Sequence, residues 1–305
     1  MSSSALLQWH SVRRGSGRPL LLVHGLGGSR RSWRLVIDAL AAQREVIAID
    51  LPGFGCTPAL SGDASIRRLA DALTQYLRAN GLIGIDAVGS GMGARLLLEL
   101  ASRGGVVGSV IALAPSGFAQ GWERIAYFLS TLLFNQLLRL MQSVVPFIAA
   151  HAWARALLLA QFSAHAARLP AQLVLEELRS RTTSTSFNKL LFDLAFGERA
   201  RATVQGSVRS PLVIGWGRHD RVCVPGQAKR TLSAFPDAQL HWFADSGHYP
   251  QWDMPQQIVR LILEHCPGLS LAVALSAAPR VARSHHSIFD NSSGLAAPHP
   301  PPSAL

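Results

Sequence analysis

The sequence is poor in cysteine and in acidic residues, and it lacks an uninterrupted apolar run of membrane-spanning length. Its three cysteines, Cys56, Cys223 and Cys266, are odd in number and far apart, which argues against a disulfide framework and a zinc site. The opening residues MSSSALLQWH have no basic segment leading into an apolar one, so no secretory leader is expected, and the expected location is cytoplasmic. The greasiest stretch, Ile125 to Leu138, holds 14 residues without a charge, short of the roughly 20 that span a bilayer. No internal repeat is found. Only 18 Asp and Glu stand against 29 Lys and Arg, for a net charge of +11, and nearly all the excess is arginine. These arginines come as scattered pairs (Arg13-Arg14, Arg30-Arg31, Arg67-Arg68) without interleaved aromatics. Solvated helix faces are therefore expected, and no nucleic-acid partner.

What is present is a chain of 305 residues, 49% hydrophobic and 15% charged, enough for one large core or a core with a subdomain. Near-uniformly apolar runs at Leu6–Val12, Pro19–Val23, Val46–Ile49, Ile85–Val88, Val106–Leu113, Pro211–Gly215 and Gln239–Phe243 alternate with helical patterns. That alternation predicts an α/β protein with a mostly parallel, doubly wound sheet covered on both faces. Helices are predicted near Arg30–Ala42 and Ile66–Ala79, and one follows the fourth run, with Leu96, Leu97 and Leu100 inward and Arg95, Glu99 and Arg103 on its wet side. The alternation stops from about Phe118 to Arg201, where the pattern is helical throughout: Trp122–Met141, Pro146–Phe162, Pro170–Arg181 and Ser186–Glu198. This segment reads as a helical cap with an apolar underside, and the alternative is an element that touches a membrane peripherally. The expected organisation is a core from residues 1–117 and 206–268, a cap at 118–205, and an Ala-, Ser- and Pro-rich tail at 269–305 with too little apolar periodicity to pack.

The stretch Ile85-Asp86-Ala87-Val88-Gly89-Ser90-Gly91-Met92-Gly93-Ala94 reads as strand, glycine-dense corner and helix. It fits the skeleton G-x-S-x-G of a nucleophile elbow, except that the middle position is Gly91, which has no side chain. The same letters satisfy G-x-G-x-x-A of a dinucleotide site. That reading wants an acid near the end of the next strand, where the sequence has SVIALAPS.

Four motifs in order, HGLGGS at His24, DLPGFG at Asp50, GSGMG at Gly89, and the late pair GRHD at Asp220 and SGHYP at His248, resemble the α/β-hydrolase superfamily, in the branch with esterases, C–C bond hydrolases and epoxide hydrolases. The resemblance covers about residues 5–266 and implies an α/β-hydrolase fold with a helical cap insertion. It implies that His248 is a general base, that Asp220 orients it, and that the Leu26 and Met92 N–H groups form an oxyanion hole. His24 and Asp50 would brace loops. No cofactor and no metal are implied.

The departure from the family pattern is the nucleophile position, Gly91, with Ser90 beside it as a weaker candidate for attack. Three functional readings follow. His248 and Asp220 could act without a covalent step, by activating water or moving a proton. The protein could instead bind a ligand or partner without catalysis, or it could be a serine ester hydrolase that recently lost its nucleophile. The cap's apolar residues, Phe128, Leu132 and Trp153 among them, point to a hydrophobic small molecule as substrate or ligand.

Overall fold

The computed structural model describes residues 7–266. The tail expected at 269–305 lies outside the described residues. Seven strands, β1 (Ser11–Arg14), β2 (Pro19–Val23), β3 (Glu45–Ile49), β4 (Ile85–Ser90), β5 (Val107–Leu113), β6 (Leu212–Gly217) and β7 (Gln239–Phe243), form one sheet in the order β1-β3-β2-β4-β5-β6-β7. Strand β1 runs antiparallel to β3, and every other pair is parallel. The helices are α1 (Ile37–Ala41), α2 (Ile66–Ala79), α3 (Met92–Arg103), α4 (Trp122–Leu140), α5 (Val145–Ala150), α6 (Ala152–Leu158), α7 (Ala171–Thr183), α8 (Phe187–Phe196), α9 (Gly226–Ala234), α10 (Pro250–Asp253) and α11 (Pro255–His265).

Period-two alternation of side chains splits the core between the two faces of the sheet. Leu21, Val23, Ile47, Ile49, Ala87 and Ala112 pack with Leu69 and Leu73 of α2, Leu97 of α3 and Leu190 of α8. Leu20, Leu22, Val46, Ala48, Val88 and Ile111 pack with Trp33, Leu40 of α1, and Ile258 and Ile262 of α11. Because both faces are covered, the central strands have no room for polar alternation, and this is why they read as continuous apolar runs. A third cluster sits inside the cap, where Phe134, Leu138, Val145, Ile148, Phe162, Leu173 and Leu178 meet Tyr249 and Trp252 of the core. Register places the working edge: Gly89 lies opposite Val23 on one side and Ala112 on the other. The turns after β2, β4 and β5 therefore emerge side by side.

Several expectations are corrected. The first strand begins at Ser11, where pairing with β3 starts. The helix expected at Arg30–Ala42 is broken into a 3₁₀ turn, Arg30–Trp33, and α1, although Trp33, Val36, Ile37 and Leu40 still share the buried face. The helix expected at Pro146–Phe162 is split at His151, whose backbone is extended (ψ 123°). Arg95 and Glu99 are not on a wet side. Both are buried, because the chain leaving β5 at Gly117 crosses Arg95, and they pair with each other at 3.4 Å while Arg103 reaches Glu99 at 3.2 Å. The cap is apolar outside as well as beneath: Trp122, Ile125, Leu129, Leu133, Leu137 and Leu140 of α4 form an exposed stripe. Among the described residues, no helix is long and apolar enough to cross a membrane.

Burial sets a stability contrast along these elements. Leu22→Ala, at 0% exposure, is expected to cost about 2–5 kcal/mol through lost transfer energy and an unfilled cavity. Leu140→Ser, at 84% exposure, is expected to stay within about 0.5 kcal/mol. Urea denaturation of the two variants checks both.

Candidate active site

The corner after β4 decides the geometry. Ser90 ends the strand, Met92 opens α3, and Gly91 between them has φ 54° and ψ −110°, a backbone conformation that strains any residue with a Cβ. The turn is also pressed against its neighbour, since a Cβ on Gly93 would lie 2.4 Å from the Val23 carbonyl oxygen. Glycine is required there by close approach. The Gly91 N–H donates to the Leu113 carbonyl at 2.9 Å, and the Gly91 carbonyl accepts from Ser116 N–H at 3.2 Å, so the corner is tied to the end of β5.

A side chain on residue 91 would start 3.2 Å from His248 Nε2 and 3.7 Å from Ser116 Oγ. His248 is buried on the loop after β7, and its Nδ1 stands 2.9 Å from Asp220 Oδ2. Asp220 follows β6, and its Oδ1 accepts the N–H groups of Val222 (2.8 Å) and Cys223 (2.9 Å). With one carboxylate oxygen fixed by the backbone and the other facing the ring, Asp220 favours the tautomer with hydrogen on Nδ1, which leaves Nε2 as the nitrogen turned toward residue 91.

Met92 adjoins residue 91, and Leu26 follows Gly25, whose Cα lies 3.9 Å from the position a Cβ on residue 91 would take. Met92 N–H belongs to the first turn of α3, whose donors have no intrahelical acceptor. Leu26 sits in a turn closed by Gly28 N–H on the Gly25 carbonyl at 3.1 Å. Two groups tie the segment after β2 to the loop after β3. Buried His24 donates from Nδ1 to the Gly25 carbonyl (2.8 Å) and accepts Leu51 N–H at Nε2 (2.9 Å). Burial lowers its pKa and keeps it neutral. Asp50 accepts N–H bonds from Arg30 (2.7 Å) and Cys56 (3.0 Å) and pairs with the Arg30 guanidinium.

Ser90 is differently placed. Its buried hydroxyl accepts from Gln251 Nε2 at 3.1 Å, so it is engaged one residue short of the corner. Of the three side chains expected to line a ligand site, Phe128 packs on Phe192 and Phe196, with ring centroids 6.2 and 5.2 Å away. Leu132 joins the same core cluster. Trp153 is turned outward, 63% exposed and edge-on to Phe147, on the face of α6 it shares with exposed Leu157, while Ala154 and Arg155 take the buried one.

The residues over the dyad are ones that sequence reasoning missed. Tyr249 follows His248, with ring centroids 4.9 Å apart, and stacks on Phe162 at 5.7 Å. Burial raises its pKa to about 12. Ser116 Oγ contacts Cys223 Sγ at 3.7 Å. Burial, with Asp220 adding to it, raises the Cys223 pKa well above the ordinary thiol value, so a protonated thiol stands there at neutral pH and is no substitute nucleophile. Arg181 of α7 reaches Tyr249 Oη at 3.3 Å, and its stem touches the position a Cβ on Gly27 would take. One turn earlier, Glu177 has a buried, unpartnered Oε1. Burial raises its carboxyl to about 7 against the pull of Ser32 and Arg181. A separate surface cleft of about 440 Å³, lined by His165, Arg168, His219, Arg221 and Asp245 among others, does not include the dyad. Among the described residues, no three His, Cys, Asp or Glu side chains group as metal ligands.

A model of the alpha/beta hydrolase fold matches residues 18–255. The chain belongs to the α/β-hydrolase family. Its sequence is 25% identical over 265 residues to the dihydrolipoyllysine-residue acetyltransferase component of the acetoin cleaving system of Pseudomonas putida, covering 85% of this chain and 66% of that protein. The chain thus spans slightly under two thirds of that relative's length. Among solved structures, an esterase (EaEST) from Exiguobacterium antarcticum superposes with a TM-score of 0.67 at 17% identity, covering 86% of this chain and 96% of the other. A thermophilic esterase from Thermogutta terrifontis gives 0.63 at 19% identity, covering 85% and 92%. At these identities the structures share the hydrolase fold, and the sheet, the corner and the loops after β6 and β7 are its parts.

The strained carboxyl gives a pH-dependent prediction. With the Glu177 pKa raised from 4.5 to about 7 in the folded state, ionisation there opposes folding at pH above about 7. The penalty shrinks as pH falls and is absent below about 4.5. Glu177→Gln is therefore expected to raise Tm at pH 8 and to leave it unchanged at pH 4.5, as read by thermal unfolding at the two pH values.

Proposed function

We propose that the protein is an acyl hydrolase that works without a covalent intermediate, on a hydrophobic small-molecule ester or related acyl compound. The observation that carries this reading is His248 Nε2, aimed from 3.2 Å at the start of the missing side chain of residue 91 and backed by Asp220 at 2.9 Å. Water at that point gives its proton to Nε2 as its oxygen adds to the acyl carbon. The carbonyl electron pair moves onto oxygen, where the Leu26 and Met92 N–H groups receive it. Collapse expels the alcohol, which takes the proton from the imidazolium, while Asp220 stays ionised throughout. The acetyltransferase component and the esterases named above support acyl compounds as the substrate class.

Removing the serine of a triad costs about 10⁶-fold in turnover, so the reaction is slow by the family's standard. A well-placed general base contributes about 10²–10⁴-fold, which is what the retained pair supplies. A non-catalytic ligand-binding role is the second reading. It is favoured by the burial of His248 and Tyr249 beneath the cap, which makes access depend on cap movement.

Steady-state and pre-steady-state assays of a medium-chain ester test this. The unmodified protein is expected to turn over slowly, and His248→Ala to lose about 10²-fold or more. Absence of turnover, or a rate indifferent to His248→Ala, would contradict the proposal and favour the binding role. Gly91→Ser, after the imidazole retreats by a few tenths of an ångström, is expected to show a burst of alcohol release from an acyl-enzyme. A fast Gly91→Ser enzyme beside an inert parent would instead mark a serine hydrolase that lost its nucleophile.

A further inference from the structure

Four arginines are buried: Arg44, Arg95, Arg155 and Arg181. Three have carboxylate or carbonyl partners, although the Nε of Arg155 has none. Arg44 reaches Asp86 and the carbonyls of Arg18, Pro19 and Cys266, Arg95 pairs with Glu99, and Arg155 donates to the carbonyls of Ala149 and Ala167. Arg181 differs from all of them. At 7% exposure it has, among the described residues, one oxygen partner, the neutral phenol of Tyr249 at 3.3 Å. Glu177, one turn away on α7, is not within ion-pairing distance of it.

The surroundings of this cation are aromatic. Its guanidinium carbon lies 4.8 Å from the Phe162 ring centroid, 5.6 Å from Phe134 and 5.5 Å from Phe187. Such faces offset part of the desolvation of a cation, but they do not replace the oxygen acceptors of a guanidinium fork. A guanidinium has five donors in a fixed fork matched to a carboxylate. A single phenol oxygen leaves most of that fork without a hydrogen-bond partner from the protein. The fork sits at the site itself, because its stem packs on Gly27, next to Leu26, and its tip reaches the Tyr249 hydroxyl, next to His248.

We infer that Arg181 receives a carboxylate of the ligand, so that the compound taken into this site is an acyl ester carrying a second, anionic end, held between the Arg181 fork and the Tyr249 hydroxyl while its ester carbonyl faces Leu26 and Met92. This deepens the function proposed above and rests on the site accepting an acyl ligand. It does not rest on turnover. The apolar lining then serves the chain between the two ends of the ligand, and the cation selects which apolar acyl compounds are retained.

A matched pair of probes tests this by calorimetry: monomethyl adipate, which ends in a carboxylate, and methyl adipamate, its neutral amide of the same shape. A charge-assisted hydrogen bond in a buried setting is worth about 1.5–3 kcal/mol, so the unmodified protein is expected to bind the acid about 10- to 100-fold more tightly. Arg181→Gln and Arg181→Met, the latter keeping an apolar stem on the three rings, are expected to abolish the preference, and Arg181→Lys to keep part of it. Equal affinities in the unmodified protein would overturn the inference without recourse to any variant, and so would a preference that survives in folded Arg181→Gln or Arg181→Met. His248→Ala separates the two proposals. It is expected to keep the preference, so a preference measured in a protein that never turns over ester would sustain the inference while the hydrolytic reading falls.

Discussion

The hydrogen bond between His248 and Asp220 is the contact on which the rest of the site depends. It joins two loops that leave neighbouring parallel strands, β6 and β7, and it exists because Gly217 and Phe243 are paired in register at the ends of those strands. Asp220 has no freedom of its own, since Val222 and Cys223 N–H groups hold one of its oxygens. The other oxygen fixes the imidazole tautomer, and the tautomer directs a basic nitrogen at residue 91. Sheet register thus becomes the orientation of one lone pair.

Around that line the fold keeps a tight strand-to-helix turn with a glycine at its corner. Gly91 sits at positive φ, Gly93 lies against the β2 backbone, and the corner is tied to Leu113 and Ser116. A glycine adopts this corner at little cost, so the turn holds its shape without the serine the family pattern places there. The space that a serine hydroxyl would use is bounded by the base, by Ser116 and by the loop at Gly25. Cys223, the nearby sulfur, is held protonated by burial. The geometry therefore leaves a hydrogen-bonded histidine and aspartate facing the corner, and no side chain on residue 91 itself.

How much of this was legible in the sequence follows from what is local. The buried strands, α2 with its bounds, the glycine-dense corner and the pair Asp220 and His248 were readable, because apolar runs, turn chemistry and motif order are carried by neighbouring residues. Arg95 and Glu99 were misread, since spacing alone places them outward while a crossing segment from elsewhere in the chain covers them. Trp153 was misread for the reverse reason, as it falls on the exposed face of its helix. Arg181, Tyr249 and Ser116 gave no usable signal. Their importance arises from three loops and a cap helix converging, and a lone arginine on a helix reads as solvated until something packs over it.

The central claim is that the base acts directly on water, with no acyl group ever attached to the chain. Rapid quenching of the unmodified protein during ester turnover, followed by intact-mass measurement, tests this most directly. The account predicts product accumulating while the chain keeps its unmodified mass at every time point. A species heavier by one acyl group would contradict it, and so would a protein that forms no product.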